Sequence, residues 1–270
     1  MPFLALSRNE LFAGLSLLAF VNGISERIVV AVRENGFSLA FMNTFDISII
    51  VWGACGIGIS FLLRPPKHAA SPSDHVVAGL ALVALFIPVA PVSWLVLSGL
   101  SVYMIRSSGP STFEQRGAWI LFALTVPMFW GRLLFAAFSD TILRGDATLV
   151  GWLVGTPRIG NAIQFADGSG FLWIAPACSS LANVSLAILC WVTLAKVKDR
   201  PSSWRDAGWI LAAACAVIVV NVIRIGLLGL YREDFELIHG PVGATVTSLL
   251  ILAVTVAICQ FGTRHVPAHR

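Results

Sequence analysis

The chain has 270 residues, 57% of them hydrophobic and only 12% charged, with a mean hydropathy of +0.84. Soluble domains carry about 25% charged residues; half that share, set between long apolar runs, argues against a soluble domain and for an integral membrane protein. The net charge of +4 flanks the apolar runs, which reads as loop bias and gives no nucleic-acid footprint.

In chain order, apolar segments near 10–25, 37–63, 76–90, 91–105, 117–138, 172–195, 208–231 and 241–262 are candidate spans, because a bilayer core of about 30 Å needs roughly 20 apolar residues per helix. The third and fourth are short and joined by "IPVAPVSW", whose prolines favour a turn. The expectation is an all-α polytopic membrane protein of about eight transmembrane helices, or six with a short re-entrant pair. No linker or low-complexity tract divides it, so residues 1–270 read as a single integral membrane domain. No small-residue cleavage site ends the first segment, which is expected to stay as an anchor. No internal repeat suggests an inverted-repeat transporter.

Orientation follows from Lys and Arg in the loops. With the N-terminus cytoplasmic, eleven of the 18 fall inside: Arg8, Arg64, Lys67, Arg106, Arg116, Lys196, Lys198, Arg200, Arg205, Arg264 and Arg270. Five fall outside (Arg27, Arg33, Arg144, Arg158 and Arg232), while Arg132 and Arg224 lie within helices. Both termini are therefore expected inside a cytoplasmic (inner) membrane. Ahead of the sixth span, "RIGNAIQFADGSGFLWIA" alternates apolar residues around an Asp-Gly turn. That pattern reads either as a small extracytoplasmic β-hairpin or as a tight spacer loop.

In this topology Cys178 sits about two turns below the outer surface on the sixth span. Arg224 sits at a similar depth on the seventh, roughly 10 Å in, and His239 lies at the mouth of the eighth. Cys55, Cys190, Cys215 and Cys259 all fall in inner halves of their helices, so Cys178 alone faces outward. With no CxxC pair and no Cys/His metal spacing, neither a disulfide framework nor a metal or other cofactor is expected.

The three side chains are chemically complementary. A thiolate is the nucleophile, an imidazole takes its proton and returns one to a leaving amine, and a guanidinium stabilises a thiolate or an oxyanion. Each has a plainer reading. Arg224 snorkels, His239 is a surface histidine beside "REDFE", and Asn221 either holds Arg224 from one turn away or joins two helices. Arg132 is a substrate-anchoring cation or, the reading favoured, an interfacial anchor. Ser179, beside the thiol, and Asn161, in the hairpin segment, complete the supporting candidates.

"GNAIQFADGSGFLWIAPACSSL", "NVIRI" and "HGPVG", in that order within residues 155–250, resemble the exosortase/archaeosortase family of membrane cysteine transpeptidases. The N-terminal half is similar only in general hydropathy. The resemblance implies that Cys178 is the nucleophile, Arg224 the arginine of an NxxR motif, and His239 the third member, of the bacterial type where archaeal relatives tend to have Arg. One departure is Cys178-Ser179-Ser180 where the family commonly reads Cys-Ser-Gly. The resemblance further implies substrates: secreted proteins with a tripartite C-terminal tail of recognition motif, transmembrane helix and basic cluster. Cleavage at the outer membrane–water interface would pass them to an acceptor, whether lipid, cell-surface polymer or water. The rival reading is a polytopic transporter or an export-assembly scaffold without thiol chemistry.

Overall fold

The computed structural model describes residues 6–66, 68–201 and 203–264. Lys67 and Arg270, which entered the orientation argument, lie outside them. The chain is predominantly helical and packs into two compact units. One runs to Phe129 and includes Val192–Pro201; the other comprises Trp130–Trp191 and the segment that begins after Pro201.

In the first unit, helix α1 (Arg8–Met42) opens on a capping box, with Ser7 and Glu10 satisfying each other's backbone N–H groups. The sequence reading ends this element near residue 25, where charges appear, but Glu, Arg and Ala are good helix formers. Helical structure therefore continues, broken at Gly36, whose φ of 74° favours glycine. Residues 44–46 then turn the chain into α2 (Ile49–Leu62), so the apolar stretch 37–63 is two elements. Helix α3 (Pro72–Leu85) and α4 (Ala90–Ser107) follow, separated at the prolines of "IPVAP". Helix α5 (Phe113–Thr125) packs on α2 and α4. A Cβ placed on Gly117 would come within 2.7 Å of the Gly58 carbonyl, so α2 and α5 approach at a distance only glycine permits. Phe20 packs edge-on against Trp52 and Trp94 at 5.5 and 6.0 Å, anchoring α1 to this core.

The same unit buries a charge network. The Arg8 guanidinium pairs with Asp74 at 3.0 Å and with Glu114, and the Tyr103 hydroxyl donates to Asp74 at 2.9 Å. Arg116 donates to the carbonyls of Lys196 and Val197. Two arginines counted as loop cations are thus each only 8% exposed.

In the second unit, α6 (Gly131–Val154) extends well past the expected end at residue 138, as a kinked helix that stops at Gly155 in the left-handed region. Three short strands follow: β1 (Arg158–Ile159), β2 (Ala162–Gln164) and β3 (Phe171–Trp173), antiparallel in the order β1-β2-β3. Ile163 faces Leu172 across the β2–β3 pair. The tip of this sheet is tied to helix by the Ala166 N–H, which donates to the Gly229 carbonyl at 3.0 Å. Helix α7 (Ser180–Val197), α8 (Arg205–Leu230), the short α9 (Phe235–His239) and α10 (Pro241–Arg264) complete the chain.

Among the described residues, five helical stretches are long and apolar enough to cross a membrane: Arg8–Met42, Phe113–Val154, Ser180–Val197, Arg205–Leu230 and Val242–Arg264. At about 1.5 Å per residue, α2 and α3 fall short of a 30 Å core. Large apolar side chains such as Leu80, Val83, Val219, Val246 and Leu249 lie exposed, as suits helices solvated by lipid. The protein is therefore a membrane-embedded, all-α architecture carrying one small sheet.

Candidate active site

The site is built on the segment that leaves β3. Asn161 and Ile174 exchange a backbone hydrogen bond and a side-chain one, both at 3.0 Å, which fixes the end of the sheet. The chain then makes a 3-10 turn over Pro176–Cys178, with the Cys178 N–H donating to the Ala175 carbonyl at 2.9 Å. Helix α7 starts two residues later. Ser179, buried, accepts from the Leu181 N–H at 3.3 Å and so caps the helix. Cys178 itself is half-buried against a cluster of Leu143, Ala147, Val150, Ile163, Ile174 and Ile225 from α6, the sheet and α8.

Helix α8 reaches this turn through Asn221, only 3% exposed. Its Nδ2 donates to the Cys178 carbonyl at 2.7 Å and to the Ser180 hydroxyl at 3.1 Å. The Ser180 hydroxyl is thus an acceptor that Asn221 uses. From α6, the buried Asp146 accepts the Ser180 N–H at 3.1 Å. The turn that presents the sulfur is held from both sides by polar side chains that would be costly to bury unpaired.

One turn beyond Asn221, Arg224 directs its guanidinium to the His239 backbone carbonyl at 3.5 Å, and its Nε is buried without a partner. The His239 imidazole is exposed and stacks on Phe235 at 5.1 Å. Among the described residues no hydrogen bond joins the Cys178 sulfur to Arg224 or His239. Asn221 and Arg224 thus occupy neighbouring positions on one helix face, the first bound to the cysteine turn and the second to the histidine segment.

Of the residues named from sequence, the structure joins Cys178 with Asn221, and Arg224 with the backbone of His239, while Ser179 caps the helix behind the thiol. Asn161 supports the sheet that feeds the turn. Arg132 is exposed on α6 and makes no contact with these groups among the described residues. Sequence reasoning missed Asp146, a buried carboxylate on the C-terminal half of α6 between apolar residues. Of the other cysteines, Cys55, Cys190 and Cys259 are buried and Cys215 is exposed; none is disulfide-bonded. Among the described residues no group of three or more His, Cys, Asp or Glu side chains is placed to hold a metal ion.

No family model, no curated protein and no solved structure matches this chain.

Proposed function

We propose that the protein is an exosortase-like membrane cysteine transpeptidase. Its substrates would be secreted proteins bearing a C-terminal tail of recognition motif, transmembrane helix and basic cluster. The observation that carries this reading is the neighbouring placement of Asn221 and Arg224 on α8, one bound to the Cys178 turn and the other to the His239 segment. The proposed topology has both termini cytoplasmic and the site at the outer interface of the inner membrane, in keeping with the balance of basic residues. The substrate tail would stop with its basic cluster inside and present its recognition motif at the depth of Cys178.

In the proposed chemistry the Cys178 sulfur gives up its proton to His239 and attacks the scissile carbonyl carbon, forming a C–S bond. The unpartnered Nε–H of Arg224 is a donor for the resulting oxyanion. Collapse breaks the C–N bond as His239 protonates the leaving amine. An acceptor amine, hydroxyl or water then attacks the thioester, loses its proton to His239, and regenerates the thiol. For this cycle the imidazole must leave its stack on Phe235 and turn toward the sulfur, since catalytic hydrogen bonds often tighten only when substrate is bound.

The test uses a secreted reporter with a tripartite tail, co-expressed with wild-type protein or Cys178→Ala and read by intact mass. Loss of the tail with wild type only is the expected outcome, and added mass identifies the acceptor. Equal processing with both proteins removes Cys178 from the reaction. An uncut reporter together with solute flux through the purified protein favours a transporter instead.

A further inference from the structure

We propose that a polar cavity at the start of α1, α3 and α5 binds a phosphoethanolamine group, with its ammonium inward and its phosphate on Arg64. The cavity lies within the first unit, holds about 460 Å³ and is lined by Arg8, Asn9, Arg64, Asp74, Tyr103 and Glu114, among others. That volume falls within the range of small-molecule sites, roughly 300–1,000 Å³. Arg8 and Asn9 open α1, and Glu114 lies at the start of the apolar stretch Phe113–Val154; both stretches are long enough to cross a membrane. The cavity therefore sits where apolar helices begin, at the level of lipid headgroups.

Most polar groups here are spent on one another, and what remains unused defines the ligand. Both Asp74 oxygens are taken, Oδ1 by Arg8 and Tyr103 and Oδ2 by Ser71. Glu114 accepts from Arg8 through Oε1, and its Oε2 has no partner among the described residues. One guanidinium against two carboxylates leaves this inner end with net negative charge. Asn9, next to Arg8, is only 2% exposed; its Nδ2 donates to the Leu62 carbonyl at 2.9 Å, while its Oδ1 is buried without a partner. A buried acceptor with no donor is costly. The inner end thus calls for a donor that carries positive charge.

The rim calls for the opposite. The Arg64 guanidinium lies over the Phe113 and Phe61 rings at 4.6 and 5.0 Å and pairs with no carboxylate among the described residues. Its fork of N–H donors is free for a phosphate. Ethanolamine phosphate brings N–H donors with positive charge at one end and an anion at the other, and so meets both demands. Choline phosphate has the same charges but no N–H for Asn9. A phosphoglycerol has hydroxyl donors but no positive charge for the inner end.

Native mass spectrometry of the delipidated full chain in detergent, titrated with dioleoyl-phosphatidylethanolamine or dioleoyl-phosphatidylcholine, tests this. The ethanolamine lipid is expected to bind about tenfold more tightly, the worth of a hydrogen bond to a charged group. Arg64→Gln is expected to weaken both lipids severalfold and leave their ratio intact, because both carry the phosphate. Asn9→Leu is expected to abolish most of the preference by removing the inner acceptor. Equal binding of the two lipids by the wild type overturns the inference, as does an Arg64→Gln variant with unchanged affinities or a folded Asn9→Leu variant that keeps the preference. Should Asn9→Leu fail to accumulate as folded protein, the wild-type ratio and Arg64→Gln still decide. Soluble O-phosphoethanolamine separates the two sources of the group. Displacement of the lipid at comparable concentration assigns the site to the free ester, and displacement only at far higher concentration assigns it to the lipid.

Discussion

Two polar clusters lie inside this greasy chain, and they are finished differently. In the first unit Arg8 is enclosed by Asp74 and Glu114, with Tyr103 and Ser107 completing the network. In the second, Arg224 has a buried Nε without a partner and one long contact to a backbone carbonyl. A buried guanidinium whose donors meet carboxylates from other helices is a device for fixing helices together. One left under-satisfied keeps its charge available. Burial of an arginine does not by itself mark a site; what distinguishes a site is how much of its hydrogen-bonding capacity the fold leaves unused.

The sharpest way to break this contrast is to remove each cation in turn. Arg8→Met leaves two buried carboxylates without their counter-charge and should destabilise the protein by about 3–5 kcal/mol. Thermal unfolding in detergent would show it, together with labelling of the buried Cys55. A melting temperature close to wild type would mean that the pairs are dispensable. Arg224→Gln should do the reverse. Its melting temperature stays near wild type, while cleavage of a competent reporter falls by about 10²–10³-fold, as for loss of an oxyanion donor. If unfolding and activity fell together for Arg224→Gln, the distinction between the two clusters would collapse.

Acid should separate the clusters more gently. Burial by itself would raise the Asp74 carboxyl. Hydrogen bonds from the Ser71 backbone and hydroxyl, then from Arg8 and Tyr103, outweigh that and hold it at about 2 against an ordinary 3.8. A carboxylate held down in the folded state contributes stability above its unfolded value and loses it as pH falls through the folded one. The network's share, about 2 kcal/mol, is therefore present above roughly pH 4 and lost toward pH 2. Asp74→Asn should flatten the pH dependence of melting in that window. An unchanged slope would show that other carboxylates carry the acid response.

The sequence displayed hydrophobicity well and pairing poorly. Long apolar runs made the membrane-embedded helical class readable. Helix ends were not, because hydropathy marks where apolar character stops and not where the backbone bond ladder stops. The first candidate span ends near residue 25, yet α1 continues through Glu26, Arg27 and Arg33 to its break at Gly36 and resumes to Met42. Residues 172–195 looked like one span because "FLWIA" is as apolar as the helix that follows; β3 and a 3-10 turn occupy its first part. The Arg8 network joins residues 66 and 106 positions apart, a separation at which no local pattern survives. In the site, membrane depth alone brought Cys178 and the α8 motif into one argument. It did not reveal that Asn221 serves the cysteine turn, or that Asp146 closes it from α6.

The smallest expected effect concerns Ser180, the first residue of α7. Its hydroxyl accepts a 3.1 Å bond from Asn221. Ser180→Gly deletes that acceptor but keeps the N–H that Asp146 binds and the 2.7 Å bond from Asn221 to the Cys178 carbonyl. A single neutral hydrogen bond is worth about 1 kcal/mol net. The first position of a helix tolerates glycine better than its interior, because its N–H lies outside the intrahelical ladder. Melting should therefore fall slightly, and reporter cleavage should stay within a few-fold of wild type. A loss approaching that of Arg224→Gln would assign the hydroxyl a direct contact with substrate. A gain in activity would mean instead that the serine, by drawing Asn221 toward two acceptors, holds the cysteine turn more rigidly than turnover needs.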